Sequence, residues 1–201
     1  MGIYTLAKKT IDENDGVARN VDFQKHGLKN FQITYLCNKG YLERIRRGYY
    51  QLGTFDDTTE EKIIARLFPD GILCMDSALF YYGYSDRTPL EWTIAFQRTV
   101  TRTRLKVNSP KIKPYFISEE TFLLGKTEQT INDVQLAMYD RDRTICDCFK
   151  YQNKMDGELF NKAVLAYSKD EKKNIANLSD YAKKMRVYKK MAGILGVLLN
   201  G

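Results

Sequence analysis

Residues 28–52, LKNFQITYLCNKGYLERIRRGYYQL, restrict the fold more than any other part of this chain. A helical pattern with an apolar stripe runs up to Gly40. Two short extended runs follow, and Arg46, Arg47 and Gly48 carry the turn between them. With two helices ahead of it, that order matches a winged helix-turn-helix, which presents a helix and a basic hairpin to nucleic acid. The spacing predicts a first helix over residues 3–14, with Ile3, Leu6, Ala7 and Ile11 on one side and Asp15-Gly16 ending it. A second, short helix is expected over 19–26, with Val21 and Phe23 buried and His26 at its C-terminal end before Gly27. The third spans 30–39. Its inward residues are Phe31, Ile33, Leu36 and Cys37, leaving Asn30, Gln32, Thr34, Tyr35 and Asn38 on the other face. Gly40 then stands where a helix ends in a positive φ. Runs 41–45 and 49–52 hold the β-branched and aromatic residues that favour extended chain, and Arg47-Gly48 suits a tight turn.

Residues 53–59 read as a small, polar, acidic linker. They divide the chain into a winged-helix domain of residues 1–53 and a second domain of residues 54–201. Thr58-Thr59-Glu60-Glu61 contains a T-x-x-E capping box, opening a helix with Ile63, Ile64, Leu67 and Phe68 on its apolar side. Pro69, Asp70 and Gly71 stop it. Beyond lie a short helix at 76–82 and strands at 91–96, 113–117 and 134–139. Helical patterns at 143–151, 156–167, 178–185 and 191–199 close the chain. Strands followed by a helical block predict the α+β class, with a mixed second domain ending in helices.

With 43% hydrophobic and 28% charged residues the chain reads as folded rather than disordered. No apolar run approaches the roughly 20 residues that span a bilayer. The first ten residues lack a signal peptide's apolar core, and the myristoylation pattern fails at Leu6. We therefore expect a cytoplasmic protein with no membrane partner. A net charge of +7 favours a polyanionic partner. Cys37, Cys74, Cys146 and Cys148 form no CxxC pair and read as reduced core thiols rather than a zinc site. His26 is the only histidine and falls inside the N-terminal helical unit, which argues against Ser-His-Asp or Cys-His catalysis. Neither G-x-x-x-x-G-K-[ST] nor G-x-G-x-x-G occurs. No cofactor and no enzymatic activity are expected.

In the N-terminal unit, Asn30 and Gln32 can pair with adenine edges, and Lys29 can reach a guanine or a phosphate. Thr34, Tyr35 and Asn38 share that face. Arg44, Arg46, Arg47 and Tyr49 would bring the hairpin to the DNA backbone or minor groove, with weaker phosphate contacts from Lys8, Lys9 and Arg19. The same small fold also serves as a protein-interaction module. Residues 98–113, RTVTRTRLKVNSPKIK, hold no acid. In an alternating strand Arg98, Arg102, Arg104 and Lys106 project from one face, to bind nucleic acid or an acidic partner, or to guard a solvated edge. Lys183, Lys184, Arg186, Lys189 and Lys190 form another basic group. Asp140, Asp142 and Asp147 could hold a metal for nucleotidyl transfer or nuclease chemistry. Arg141 and Arg143 lie between them, and Asp142 can instead cap a helix. The aromatic run Phe80-Tyr81-Tyr82-Gly83-Tyr84 reads as packing or as a base-stacking platform.

The chain resembles the AbiEi antitoxins of bacterial AbiE abortive-infection systems. The likeness is carried by GYLERIRRGYYQLG behind three helices, by DSALFYYG, by DRDRTICDCFKY and by LSDYAKKMRVYKKM, in that order over nearly the full length. The resemblance implies a winged helix that binds inverted repeats in its own promoter and represses the operon. It also implies a C-terminal domain that neutralises a nucleotidyltransferase-like toxin in a type IV, phage-defence arrangement, where a stable antitoxin–toxin complex is not required. It puts the recognition helix at 30–39 and the wing at 44–49. The basic groups Arg98, Arg102, Arg104, Lys106 and Lys183, Lys184, Arg186, Lys189, Lys190 become candidates for the antitoxin surface. Such a protein is a monomer in solution or pairs on DNA. Direct sequestration of the toxin is the alternative way to act as an antitoxin.

Overall fold

The structure is a computed structural model that describes residues 2–53 and 58–200. The remainder of the expected linker, residues 54–57, lies outside the described residues. The chain is α+β and forms two compact units. The first comprises Met1–Pro69 with Arg102–Lys111 and Ile131–Val134. The second comprises Asp70–Thr101, Ile112–Thr130 and Gln135–Gly201.

The first unit begins with α1 (Ile3–Asp12), β1 (Ala18–Arg19), α2 (Asn20–Lys25) and α3 (Asn30–Asn38), followed by β2 (Leu42–Arg46) and β3 (Tyr49–Leu52). Its core joins Ala7, Ile11, Phe23, Leu28, Ile33, Leu36 and Leu42. Thr10 is buried among them because its hydroxyl donates to the Leu6 carbonyl at 2.8 Å and lies 2.9 Å from His26 Nδ1. Gly40 follows α3 at φ 74°, a left-handed turn in which a Cβ is disfavoured. The hairpin forms as expected, with one strand added: the order is β1-β3-β2, and Ala18 pairs with Tyr50.

Two inward positions differ from the expected phase. Phe31 is 67% exposed and Val21 is 47% exposed. Helices of nine and six residues make under three turns, so neighbouring elements rather than their own periodicity set their rotation. Along α2 the buried neighbour of Phe23 is Asp22. Its carboxylate accepts from the Arg19 backbone at 2.9 Å, from the Arg19 guanidinium at 3.1 Å and from Arg66 at 3.3 Å. Burial works to raise the Asp22 pKa, but those donors and the two positive charges hold it below the usual carboxylate range.

The chain continues with α4 (Glu60–Leu67), which buries Ile63, Ile64 and Leu67, with Phe68 buried at its end. Its cap is Thr59, whose hydroxyl accepts from Lys62 N at 3.5 Å. Arg66 on α4 donates to the Val17 carbonyl and to Asn14, so the first unit extends past residue 53.

The second unit holds β4 (Ile72–Leu73), α5 (Met75–Tyr81), β5 (Trp92–Gln97), β6 (Ile112–Ile117), α6 (Glu119–Phe122), and all but the adjoining end residues of β7 (Lys126–Ile131) and β8 (Val134–Tyr139). The strand order is β6-β5-β4-β8-β7, with β5–β6 and β4–β8 parallel and β4–β5 antiparallel. Helices α7 (Arg141–Lys150), α8 (Gly157–Lys169), α9 (Ile175–Lys184) and α10 (Tyr188–Asn200) follow. Ile145, Cys146, Cys148, Phe149, Phe160, Ala163, Tyr167 and Leu178 build the helical core. Cys74, Cys146 and Cys148 are buried free thiols, and burial raises the pKa of each. No described helix is long and apolar enough to cross a membrane.

Residues 98–113 do not form the expected alternating strand. After β5 the chain turns, with Val100 N bonded to the Gln97 carbonyl, and Arg102–Leu105 is a 3₁₀ turn. Asn108-Ser109-Pro110 then interrupts extended pairing, because asparagine favours turns and proline has no N–H for a ladder. Arg98, Arg102, Arg104 and Lys106 therefore do not share one strand face.

Candidate nucleic-acid interface

Helix α3 presents Asn30, Phe31, Thr34, Tyr35 and Asn38 as exposed residues, with Lys29 exposed just before it. Ile33 and Leu36 anchor the opposite side. Two of the polar groups are already engaged. Asn30 Oδ1 accepts from Asn20 Nδ2 at 3.1 Å and Gln24 Nε2 at 3.0 Å, tying α2 to α3. Gln32 is half-buried, and its Oε1 accepts from Lys29 N at 2.8 Å at the helix start. A bidentate contact to adenine needs the amide oxygen as well as the amide nitrogen, so both residues must exchange these bonds to read a base. Thr34 donates to the Asn30 carbonyl, and Lys39 lies 5.8 Å from the centre of the Tyr35 ring. Phe31 is the residue on this face that periodicity misassigned.

On the hairpin, Arg44 and Arg47 are exposed, and Arg46 and Tyr49 are half-buried. The Arg46 guanidinium lies 4.2 Å from the Tyr49 ring centre and 5.7 Å from that of Phe68. It also donates to the Arg104 carbonyl at 2.8 Å. The pairing register shifts between Arg44 and Arg46. There the Ile45 carbonyl accepts from Asn108 N at 3.0 Å, and the Arg44 carbonyl accepts from Asn108 Nδ2 at 3.1 Å. Lys8 is exposed, Lys9 pairs loosely with Glu13 at 3.7 Å, and Arg19 is held by Asp22. The Asp22 hydrogen bond and charge raise the Arg19 pKa.

The remaining basic candidates fall into both units. Arg102, Arg104 and Lys106 belong to the first, while Arg98 follows β5 in the second. Lys183, Lys184, Arg186, Lys189 and Lys190 are all exposed around the turn from α9 to α10. Lys184 pairs with Asp180 at 2.8 Å, and Arg186 occupies a left-handed conformation at φ 61°.

The carboxylates considered for a metal each have their own partners. Asp140 caps α7, accepting from Arg143 N at 2.7 Å and from the Tyr181 hydroxyl at 3.1 Å. The cap is thus Asp140 rather than Asp142. Asp142 is buried and accepts from the Tyr167 hydroxyl at 2.7 Å and from Asn174 N at 2.9 Å. Asp147 lies 3.2 Å from the Arg143 guanidinium, both side chains sealed from solvent. Arg143 further donates to the Thr121 and Leu124 carbonyls and lies 4.2 Å from the Tyr139 ring centre. Gly125, at φ 71°, makes room for it: a Cβ there would come within 2.5 Å of Arg143 Cβ. Among the described residues no group of histidine, cysteine and acidic side chains converges as a metal site. In the aromatic run, the Tyr82 hydroxyl donates to the Tyr139 carbonyl and Tyr84 packs edge-on against Tyr167, so both serve the core.

No family model matches this sequence, and none of the curated proteins compared with it does. A crystal structure of the Rv2827c protein from Mycobacterium tuberculosis is similar, with a TM-score of 0.69 over 98% of this chain and 80% of that one. At 12% identity that likeness speaks for the fold alone.

Proposed function

We propose that the first unit is a winged helix-turn-helix that binds duplex DNA and represses the chain's own operon. The observation that carries this reading is the pairing of α3, with its exposed Lys29, Thr34, Tyr35 and Asn38, with a hairpin whose Arg44 and Arg47 are exposed. In this reading α3 enters the major groove, and the hairpin neutralises phosphates beside it. Two copies on an inverted repeat follow the symmetry of the site. The likeness to the AbiEi antitoxins extends the proposal. The second unit then neutralises a nucleotidyltransferase-like toxin in the bacterial cytoplasm, with the exposed basic turn at Lys183, Lys184, Arg186, Lys189 and Lys190 as the surface to test. The proposal assigns no catalysis to Asp140, Asp142 and Asp147, whose oxygens are held by separate partners.

Fluorescence anisotropy of the full chain tests the reading. The probes are a duplex taken from upstream of its gene and a scrambled duplex of equal length, each at two salt concentrations. The expected result is binding at least about 10³-fold tighter to the upstream duplex, and weaker in higher salt on both. Equal affinity for the two duplexes removes the repressor role, and binding to neither removes DNA altogether.

A further inference from the structure

The segment Arg102–Lys111, RTRLKVNSPK, leaves the second unit only to pack with the first. Four of its ten residues are basic and none is acidic, so its location decides where that charge acts. It is fastened to the hairpin at two places. Upstream, the Arg104 carbonyl accepts from Arg46 at 2.8 Å. Downstream, Asn108 uses its backbone N–H and its side-chain amide on the consecutive carbonyls of Ile45 and Arg44, where the hairpin register shifts. Leu105 and Pro110 within it are buried. Lys106 lies midway between the two fastenings and is exposed. Two residues of chain reach at most about 7 Å, so Lys106 is confined to the neighbourhood of the hairpin.

Building on the DNA-binding reading above, we propose that this segment is a second arm of the DNA interface. It is clamped to the hairpin by Asn108 so that Lys106 contacts the phosphate backbone together with Arg44 and Arg47. The contact is to phosphate rather than base, because beyond the single 3₁₀ turn at Arg102–Leu105 the segment offers charge on an irregular backbone, with no α-helix or strand to lay in a groove. A hairpin expressed without it loses both the added charge and the bonds that fix Arg44 and Ile45. The interface is thus assembled from two stretches of sequence more than fifty residues apart, and residues 1–53 hold only part of it.

The test uses the full chain and the two duplexes described above, with the slope of log affinity against log salt as readout. Lys106→Ala is expected to make that slope shallower by about 0.9 on both duplexes, the change for one lost phosphate contact, at an unaltered melting temperature. Lys169→Ala, an exposed lysine of α8, is the control expected to leave the slope alone. Asn108→Ala is expected to weaken binding to both duplexes and to shrink the effect of Lys106→Ala when combined with it. A slope unchanged by Lys106→Ala, alongside a slope made shallower by Arg47→Ala, makes the segment a mere brace and overturns the inference while leaving the DNA-binding reading intact. If the unaltered chain binds neither duplex, the reading itself fails and the second arm falls with it.

Discussion

Arg44 and Arg47 stand exposed on a hairpin, whereas Arg143 is sealed in the second unit beneath the Tyr139 ring and against Asp147. Both lie in arginine-bearing stretches, LERIRRGYY with one acid and DRDRTICDCF with three. The difference lies in what each stretch offers a guanidinium. In α7 an acid sits one helical turn away inside the core, and two carbonyls from the Thr121–Leu124 turn accept from the guanidinium's Nη1. On the hairpin, the nearby Glu43 is taken by Gln51, and the arginines fan out along strand and turn. Arg46 is the intermediate case, flattened on Tyr49 and bonded to a carbonyl, which makes it part of the hairpin's structure as well as its charge. An arginine cluster therefore marks a surface only where no helix supplies it with an acid at the right spacing.

Substitution at the two extremes should separate these roles most widely. Arg143→Met leaves Asp147 buried without its partner and should cost about 3–5 kcal/mol in urea unfolding. Arg47→Ala should stay within about 0.5 kcal/mol of the parent, as exposed positions do, while making the salt dependence of DNA binding shallower. An Arg143→Met chain of parental stability would erase the distinction between sealed and exposed arginines. An Arg47→Ala chain that unfolds easily would do the same from the other side.

Arg19 and Arg66 test the middle ground. They flank Asp22, which is nearly buried while both arginines keep access to solvent. Asp22→Asn should cost about 1–2 kcal/mol, less than the sealed pair because solvent screens the arginines. The pH dependence follows from the sign of the shift. Asp22 has a folded pKa below its unfolded value near 3.9, so its contribution is present above about pH 4 and is lost as pH falls through the lower folded value. Acid titration of unfolding should show this loss in the parent and a smaller one in Asp22→Asn. Matching acid profiles would mean that the carboxylate carries no such linkage.

Much of this arrangement could be read before the structure, and the failures have definite causes. Elements with their own punctuation were plain: Gly40 after α3, the Arg47-Gly48 turn, and the apolar spacing of α4 and α8. What went astray depended on partners far along the chain. Ala18–Arg19 is a strand only because Tyr49 and Tyr50 lie beside it. Ile72–Leu73 is too short to show alternation, and β7, KTEQTI, is polar through most of its length. Parity suggested one charged face for Arg98 to Lys106, but an alternation argument holds only if the chain stays extended, and here it turns at Gln97–Val100 and coils at Arg102–Leu105. Thr34, Tyr35 and Asn38 are exposed on α3 as their spacing suggests, yet nothing local announced that Asn30 and Gln32 would be tied up in the helical scaffold. Nor did anything local announce that Asn108 would reach back to the hairpin.

Exposure on the first unit also extends to a residue without charge, and there the expected effect is smallest. Phe31 is 67% exposed on α3, one turn before Tyr35, which is 50% exposed. A phenyl ring left in water on a nine-residue helix contributes little to the core, which Ile33 and Leu36 already supply. On DNA it has one natural counterpart in the major groove, the 5-methyl group of thymine. Burying one methyl contributes about 0.8 kcal/mol, or about fourfold in affinity. Replacing the contacted thymine with deoxyuridine should therefore weaken binding of the parent about fourfold. The same exchange should leave Phe31→Ala unaffected, because the partner of the methyl is gone. Scanning deoxyuridine through the upstream duplex locates that base, and the variant separates its loss from a change in duplex shape. If every such exchange is silent in the parent, Phe31 lies off the DNA and α3 meets the groove through Thr34, Tyr35 and Asn38 alone. Because Arg47→Ala alters the salt slope and Phe31→Ala should not, the pair also distinguishes charge from shape within one small interface.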